Sequence, residues 1–303
     1  MKLFLLTSLN GLTLAALYFL VASGFTLVFG LMRNVNLAHG SLYLLGGYIG
    51  YEAANASGNW FVGVLAGAAG VAVLGVLLQL LVFRWMEGQE LRQTLVTIGI
   101  SIVMADLMLA YWGGNTFQFD PPAWLSGTTR LPIVIDHKTD GSAVFLPYPT
   151  FRLVVLLAGI VIGIGLWLLI NKTRIGMMIR AGVDDRGMLA VSGVNVQLVF
   201  AIVFAIGAGL AGFAGVIGGT ALSIAPGEDV RYLLASLVVV IVGGLGSITG
   251  AAIGALLIGL AEQFGLAYFP TYGVVLTFVI MVLALAFRPQ GIMGHGSLGR
   301  TVR

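Results

Sequence analysis

Eight apolar runs, near residues 3–31, 37–53, 61–83, 94–112, 152–171, 196–221, 232–268 and 272–287, follow one another with short polar gaps between them. A helix that crosses a bilayer needs about 20 apolar residues. In the hydrocarbon no water can satisfy backbone N–H and C=O groups, so runs of this length cross it as helices. Charged residues make up only 9% of the chain and hydrophobic ones 59%, with a mean hydropathy of +1.03. Soluble domains carry about 25% charged residues, so this chain has too little polar surface to face water on all sides. An all-α polytopic membrane protein is expected, forming a single transmembrane domain over 1–303.

The run 232–268 is too long for one span. Its interior, Gly243-Gly244-Leu245-Gly246-Ser247-Ile248-Thr249-Gly250, is rich in residues that loosen helices, so it reads as two elements or a re-entrant hairpin. About eight to nine membrane elements follow, some of them discontinuous or re-entrant. The first run outlasts the roughly 7–15-residue core of a signal peptide and reads as the first span. The 44 glycines suit helices that approach closely in lipid. The absence of cysteine excludes disulfides and thiolate chemistry. A net charge of +3, with scattered basic residues, gives no footing for nucleic acid.

Arg33, Arg84, Arg92, Lys172, Arg174, Arg180, Arg186, Arg288, Arg300 and Arg303 fall on one side of the predicted membrane, ten of the fifteen basic residues. The positive-inside rule makes that side cytoplasmic, together with the C-terminus and the loop 172–195. Residues 113–151 then form an extracytoplasmic loop, which reads either as a plain connector or as a small β-hairpin over 131–147 turning at Asp140-Gly141.

Gly207-Ala208-Gly209-Leu210-Ala211-Gly212 matches a dinucleotide-binding fingerprint by letter, yet it lies inside an apolar run, where helix packing is the expected role. The same holds for Gly46/Gly50, Gly63/Gly67, Gly159/Gly163 and Gly250/Gly254. The polar stretch Arg33–Ser41 reads as a cytoplasmic turn or as a helix break beside a translocation path, with Asn34, Asn36, His39 and Ser41 as its polar side chains. The segment 243–250 is a candidate counterpart in the other half of the chain. Asp106 and Glu262 are carboxylates within apolar runs, where an inward-facing role is the default. Thr97 and Ser101 lie on the same predicted helix as Asp106. His39, His137 and His295 have no metal-ligand spacing, and nothing in the chain has a catalytic pattern.

Six of the 27 charged residues crowd between Lys172 and Arg186. Within this island Asp184 is expected to cap a short helix reaching about Ser192, with Asp185 in its first turn and Gly193 closing it. Met188, Leu189 and Val191 would lie on that helix. They suit either docking into a groove on another protein or folding back on the chain's own spans.

The strings GFTLVFGLMRNVNLAHGSLYLLGGY, LRQTLVTIGISIVMADLMLAYWG, RAGVDDRGMLAVSGVN and VVVIVGGLGSITGAAIGALLIG resemble the LivH-type permeases of branched-chain amino acid ABC importers, over nearly the whole chain. The resemblance implies an inner-membrane subunit with four partners: a second homologous permease, two cytoplasmic ATP-binding subunits and a periplasmic substrate-binding protein. Arg180, Ala181, Asp184, Asp185, Ala190 and Gly193, together with Met188 and Leu189, would then form the contact with an ATPase. Asn34, Asn36, His39 and Ser41 would lie near the pathway, flanked by Gly244, Gly246 and Ser247. The chain has no phosphate-binding G-x-x-x-x-G-K-[ST] loop, so ATP and magnesium would belong to the partners and no cofactor to this chain. A urea or short-chain amide permease is the related alternative. A self-sufficient channel or an ion-coupled secondary transporter, using Asp106 and Glu262, is the alternative of a different class.

Overall fold

The computed structural model describes residues 2–32, 35–86, 88–137, 143–288 and 290–294. Among these, the chain forms α1 (Lys2–Met32), α2 (His39–Ser57), α3 (Trp60–Leu81), α4 (Glu90–Trp112), β1 (Thr128–His137), β2 (Ala143–Pro149), α5 (Thr150–Lys172), α6 (Arg174–Asp184), α7 (Arg186–Val191), α8 (Val196–Ala221), α9 (Glu228–Gly243), α10 (Ile248–Tyr268) and α11 (Gly273–Phe287). Six of these helices, α1, α3, α4, α5, α8 and α10, are long and apolar enough to cross a membrane. The expected mostly helical, polytopic class is therefore observed. The long run 232–268 divides where its glycines fall, between α9 and α10.

Burial separates an inner layer from an outer one. The most apolar stretch of α1 is 83% buried and that of α8 67%, against 22%, 11% and 17% for α3, α4 and α5. α1 and α8 run antiparallel through the centre. Leu17 of α1 lies beside Gly218 of α8, and Gly24 against Gly207. Leu31 shares a cluster with Val199 and Phe200. At Gly24 an added Cβ would strike the Gly207 backbone, so close approach requires glycine there. The fingerprint-like Gly207–Gly212 stretch is thus a packing surface, as expected.

Around this axis the chain repeats itself with inverted direction. Six residues (33–38) separate α1 from α2, and six (222–227) separate α8 from α9. α2 then packs on α3 and α8 as α9 packs on α10 and α1. α3 lies along α8 as α10 lies along α1. The short helices α2 and α9 meet head to head: Gly40 sits against the Asp229 backbone, and the rings of Tyr43 and Tyr232 lie 4.2 Å apart. These two tyrosines open matching strings, Tyr43-Leu44-Leu45 and Tyr232-Leu233-Leu234. The structure corrects the expected pairing of breaks. The counterpart of 33–38 is 222–227, whereas 243–250 corresponds to the tight turn between α2 and α3.

The hairpin exists and is longer than predicted, with β1 antiparallel to β2 from Thr128 opposite Pro149 to His137 opposite Ala143. Its turn at Asp140-Gly141 lies outside the described residues. Leu146 and Tyr148 are buried. The Tyr148 hydroxyl shares a 2.9 Å hydrogen bond with Thr13 Oγ1 of α1, which makes the hairpin a fixed roof over the start of α1.

Candidate translocation site

Two breaks in helices at the centre of a bundle leave backbone groups that must be satisfied from within the protein. At the first break, Asn36 Oδ1 accepts from Ala38 N at 3.1 Å, a local turn of the kind Asn favours. Leu37 N donates to Thr97 Oγ1 of α4 at 3.1 Å, while Thr97 also donates to its own helix at Thr94 O, 2.7 Å away. At the second break, Phe117 and Ile224 exchange two backbone hydrogen bonds of 2.8 Å. Residues of the 113–151 loop therefore enter the bundle, where Phe119 is buried, and are more than a solvated connector.

The heads of α2 and α9 meet at a buried polar cluster that also takes in α1 and α4. Ser41 Oγ lies 2.8 Å from Ser101 Oγ of α4 and donates to Asp229 Oδ2 at 3.3 Å. His39 Nε2 bonds with Val21 O of α1 at 3.0 Å, and its ring meets Phe25 edge-on. His39, Ser41 and Asp229 are all buried. Thr97 is likewise buried. Asn36, His39 and Ser41 thus lie at the α1–α2 break, with Thr97 and Ser101 of α4 bonded to it. Asn34 lies outside the described residues.

Three proposed residues and one carboxylate fall elsewhere. Asp106 is exposed on α4, because it occupies the side of that helix opposite Thr97 and Met108. Gly244 packs against Gly294, Gly246 faces Gly30 of α1, and Ser247 caps α10 by accepting from Gly250 N at 3.0 Å. These three shape the turn between α9 and α10 and stand apart from the polar cluster.

A second polar cluster lies beside the first turn of α9. Tyr18 donates to Glu262 Oε2 at 2.7 Å, and Arg231 lies 4.0 Å from Glu262 and 3.4 Å from Glu228. Arg231 stands in the first turn of α9. Asp229, Arg231, Tyr18 and Tyr232 were missed. The available signal was Gly227-Glu228-Asp229, a turn glycine followed by the acidic first turn of a helix.

At the far end of α5, the charge island folds into α6 and α7. Thr173 caps α6 through Gly176 N at 3.1 Å, and Asp185 caps α7 through Met188 N at 3.0 Å. The predicted cap at Asp184 is therefore displaced by one residue. α6 runs through Asp184, and the extended backbone that a cap needs occurs at Asp185 (φ −152°, ψ 107°). Gly193, with φ of 84°, closes the helix as expected. Leu189 turns inward and is 6% exposed, while Met188 and Val191 are 69% and 85% exposed. The expected folding back on the chain's own spans is observed at Leu189, while Met188 and Val191 stay open on the other face. Arg180, Ala181, Asp185, Ala190 and Gly193 are also exposed; the Asp184 side chain lies outside the described residues.

A profile of the branched-chain amino acid transport system permease component family matches residues 7–285. The chain belongs to that family and is a multi-pass membrane permease subunit. It is 30% identical to the high-affinity branched-chain amino acid transport system permease protein BraD of Pseudomonas aeruginosa, over 94% of each chain. It is also 30% identical to the corresponding permease LivH of Escherichia coli K12, over 96% of each. A more distant likeness, 26% over 79% of this chain and 71% of the relative, is to the ribose import permease RbsC of E. coli. No solved structure matches.

Proposed function

We propose that the chain is the inner-membrane permease of an ABC importer for branched-chain or other hydrophobic amino acids. Its working complex comprises a second homologous permease, two ATP-binding subunits that hold ATP and magnesium, and a periplasmic substrate-binding protein. The chain has nine membrane elements, α1 to α5 and α8 to α11, with α6, α7 and the C-terminus in the cytoplasm and the hairpin outside. The polar cluster at the two helix breaks, between the heads of α2 and α9, carries this reading, because discontinuous helices inside a bundle mark translocation sites. The relatives' transport systems supply the substrate class.

In this reading an ATP-binding subunit pushes on the exposed face of α6–α7. Leu189 of α7 lies beside Gly182 of α6, and Ile179 of α6, clustered with Leu31 of α1 and Val199 of α8, transmits that push to the bundle. Met188→Asp changes an exposed side chain without a packing cost. Gly193→Pro imposes φ near −65° on a position at 84°. Both substitutions are expected to leave insertion intact and to uncouple ATP hydrolysis from uptake. Reconstitution with the partners should give ATP-dependent leucine uptake in preference to urea. Uptake of urea alone, or uptake by this chain alone on a gradient, contradicts the reading.

A further inference from the structure

Helix packing leaves Arg231 unexplained. Its side chain is 52% exposed, and it sits on a face of α9 where Val230 and Leu234 are 54% and 42% exposed. Its depth follows from its neighbours. Glu262, 4.0 Å away, is held by Tyr18 of α1. Tyr18 lies eight residues beyond Asn10 on α1, and Arg152 and Tyr148 gather at Asn10. Eight helical residues span about 12 Å, and Glu262 follows Leu260, whose backbone meets Gly11, so the guanidinium lies between the levels of Asn10 and Tyr18. A charge at that depth facing lipid is expensive, so such residues face a water-filled cavity or a protein surface.

The pairing around Arg231 is incomplete. Its donors lie 3.4 Å from Glu228 and 4.0 Å from Glu262, contacts that leave several of the five guanidinium N–H groups free to take a further acceptor. The carboxylate oxygens of Glu228 and Glu262 beside it are acceptors that a cationic group can also meet. Leu42 holds the equivalent position in the other half and is fully buried, so only the α9 half presents this arrangement.

We propose that Arg231, Glu228 and Glu262 bind the zwitterionic head group of an α-amino acid in transit. The substrate carboxylate pairs with the Arg231 guanidinium, a bidentate match that a planar fork favours. Its ammonium pairs with Glu228 and Glu262, and its apolar side chain lies against Val230 and Leu234. This proposal rests on the amino acid importer reading.

The test uses the complete importer complex in proteoliposomes, measuring leucine uptake per ATP hydrolysed for the unsubstituted chain, Arg231→Leu and Arg231→Lys. Leu is the residue carried by the equivalent position of the other half, so the helix tolerates it. Arg231→Leu should assemble with unchanged melting and lose about 10–100-fold in uptake per ATP, the scale of one charge-assisted contact. Arg231→Lys should retain uptake well above that of Arg231→Leu. Uptake by Arg231→Leu within about twofold of the unsubstituted complex overturns the proposal, since such a change is smaller than one such contact. So does a loss that merely tracks lost assembly in both variants, which would mark a structural ion pair. An unsubstituted complex that imports another solute but no leucine refutes the amino acid reading before any variant is compared.

Discussion

The two halves of the bundle share one construction and differ in charge. α2 and α9 each begin after a six-residue break, each opens near a Tyr-Leu-Leu string, and each packs through glycines onto its neighbours. The head of α2 reads His39-Gly40-Ser41-Leu42, compact and buried. The head of α9 reads Glu228-Asp229-Val230-Arg231, and half of it is exposed. The same backbone arrangement thus serves one half as a packing joint and the other as a charged surface. Symmetry places the two heads together, and the difference in side chains leaves one buried and the other half exposed.

The sharpest way to break this comparison is to exchange the paired side chains. Leu42→Arg buries a guanidinium where Leu42 is 0% exposed, a loss of several kcal/mol for an unpaired buried charge. It should remove the folded permease from detergent extracts, while Arg231→Leu accumulates normally. Normal accumulation of Leu42→Arg would mean that the two heads face the same environment. A smaller effect is expected where the halves are alike. At Gly63 of α3 a Cβ would strike the Gly50 carbonyl of α2, and at Gly254 of α10 the Val239 carbonyl of α9. Gly63→Val and Gly254→Val should each cost about 1–3 kcal/mol by overpacking and lower the melting temperature by similar amounts. A large inequality would show that the two contacts are not related by the repeat.

The smallest effect lies outside both halves. Asp185→Ala should loosen α7 by about 1 kcal/mol, the value of a helix cap, with faster hydrogen exchange over 186–193 and an unchanged bundle. Asp184→Ala should leave that exchange unaltered. Equal acceleration by both would remove the cap from Asp185.

Much of the membrane architecture was legible because span length and apolar composition are local properties. The division at Gly243–Gly250, the hairpin and the island of α6–α7 were all readable in this way. Asn36, Thr97 and Ser41 were found because polar side chains stand out against apolar runs. Asp106 was chosen by the same signal and misplaced, since depth along a run says nothing of which side of the helix a residue occupies. The pairing of 33–38 with 222–227 was missed because glycine and serine punctuation drew attention to 243–250. The Tyr-Leu-Leu strings that mark the true repeat are too short to stand out, and the contact of Tyr43 with Tyr232 is set by tertiary packing. Arg231 escaped for a related reason: a helix that begins at membrane depth looks, in sequence, like a loop followed by a span.

The central claim is that the face of α9 beside the α2 head borders a water-filled path. Because the chain contains no cysteine, a single introduced thiol reports its own surroundings. In the assembled complex, Val230→Cys should react with a water-soluble, membrane-impermeant thiol reagent, at a rate that changes between the nucleotide-free and ATP-trapped states. Leu42→Cys should stay unreactive. If Val230→Cys reacts only with a lipid-soluble reagent, at one rate in every state, that face borders lipid and the account fails.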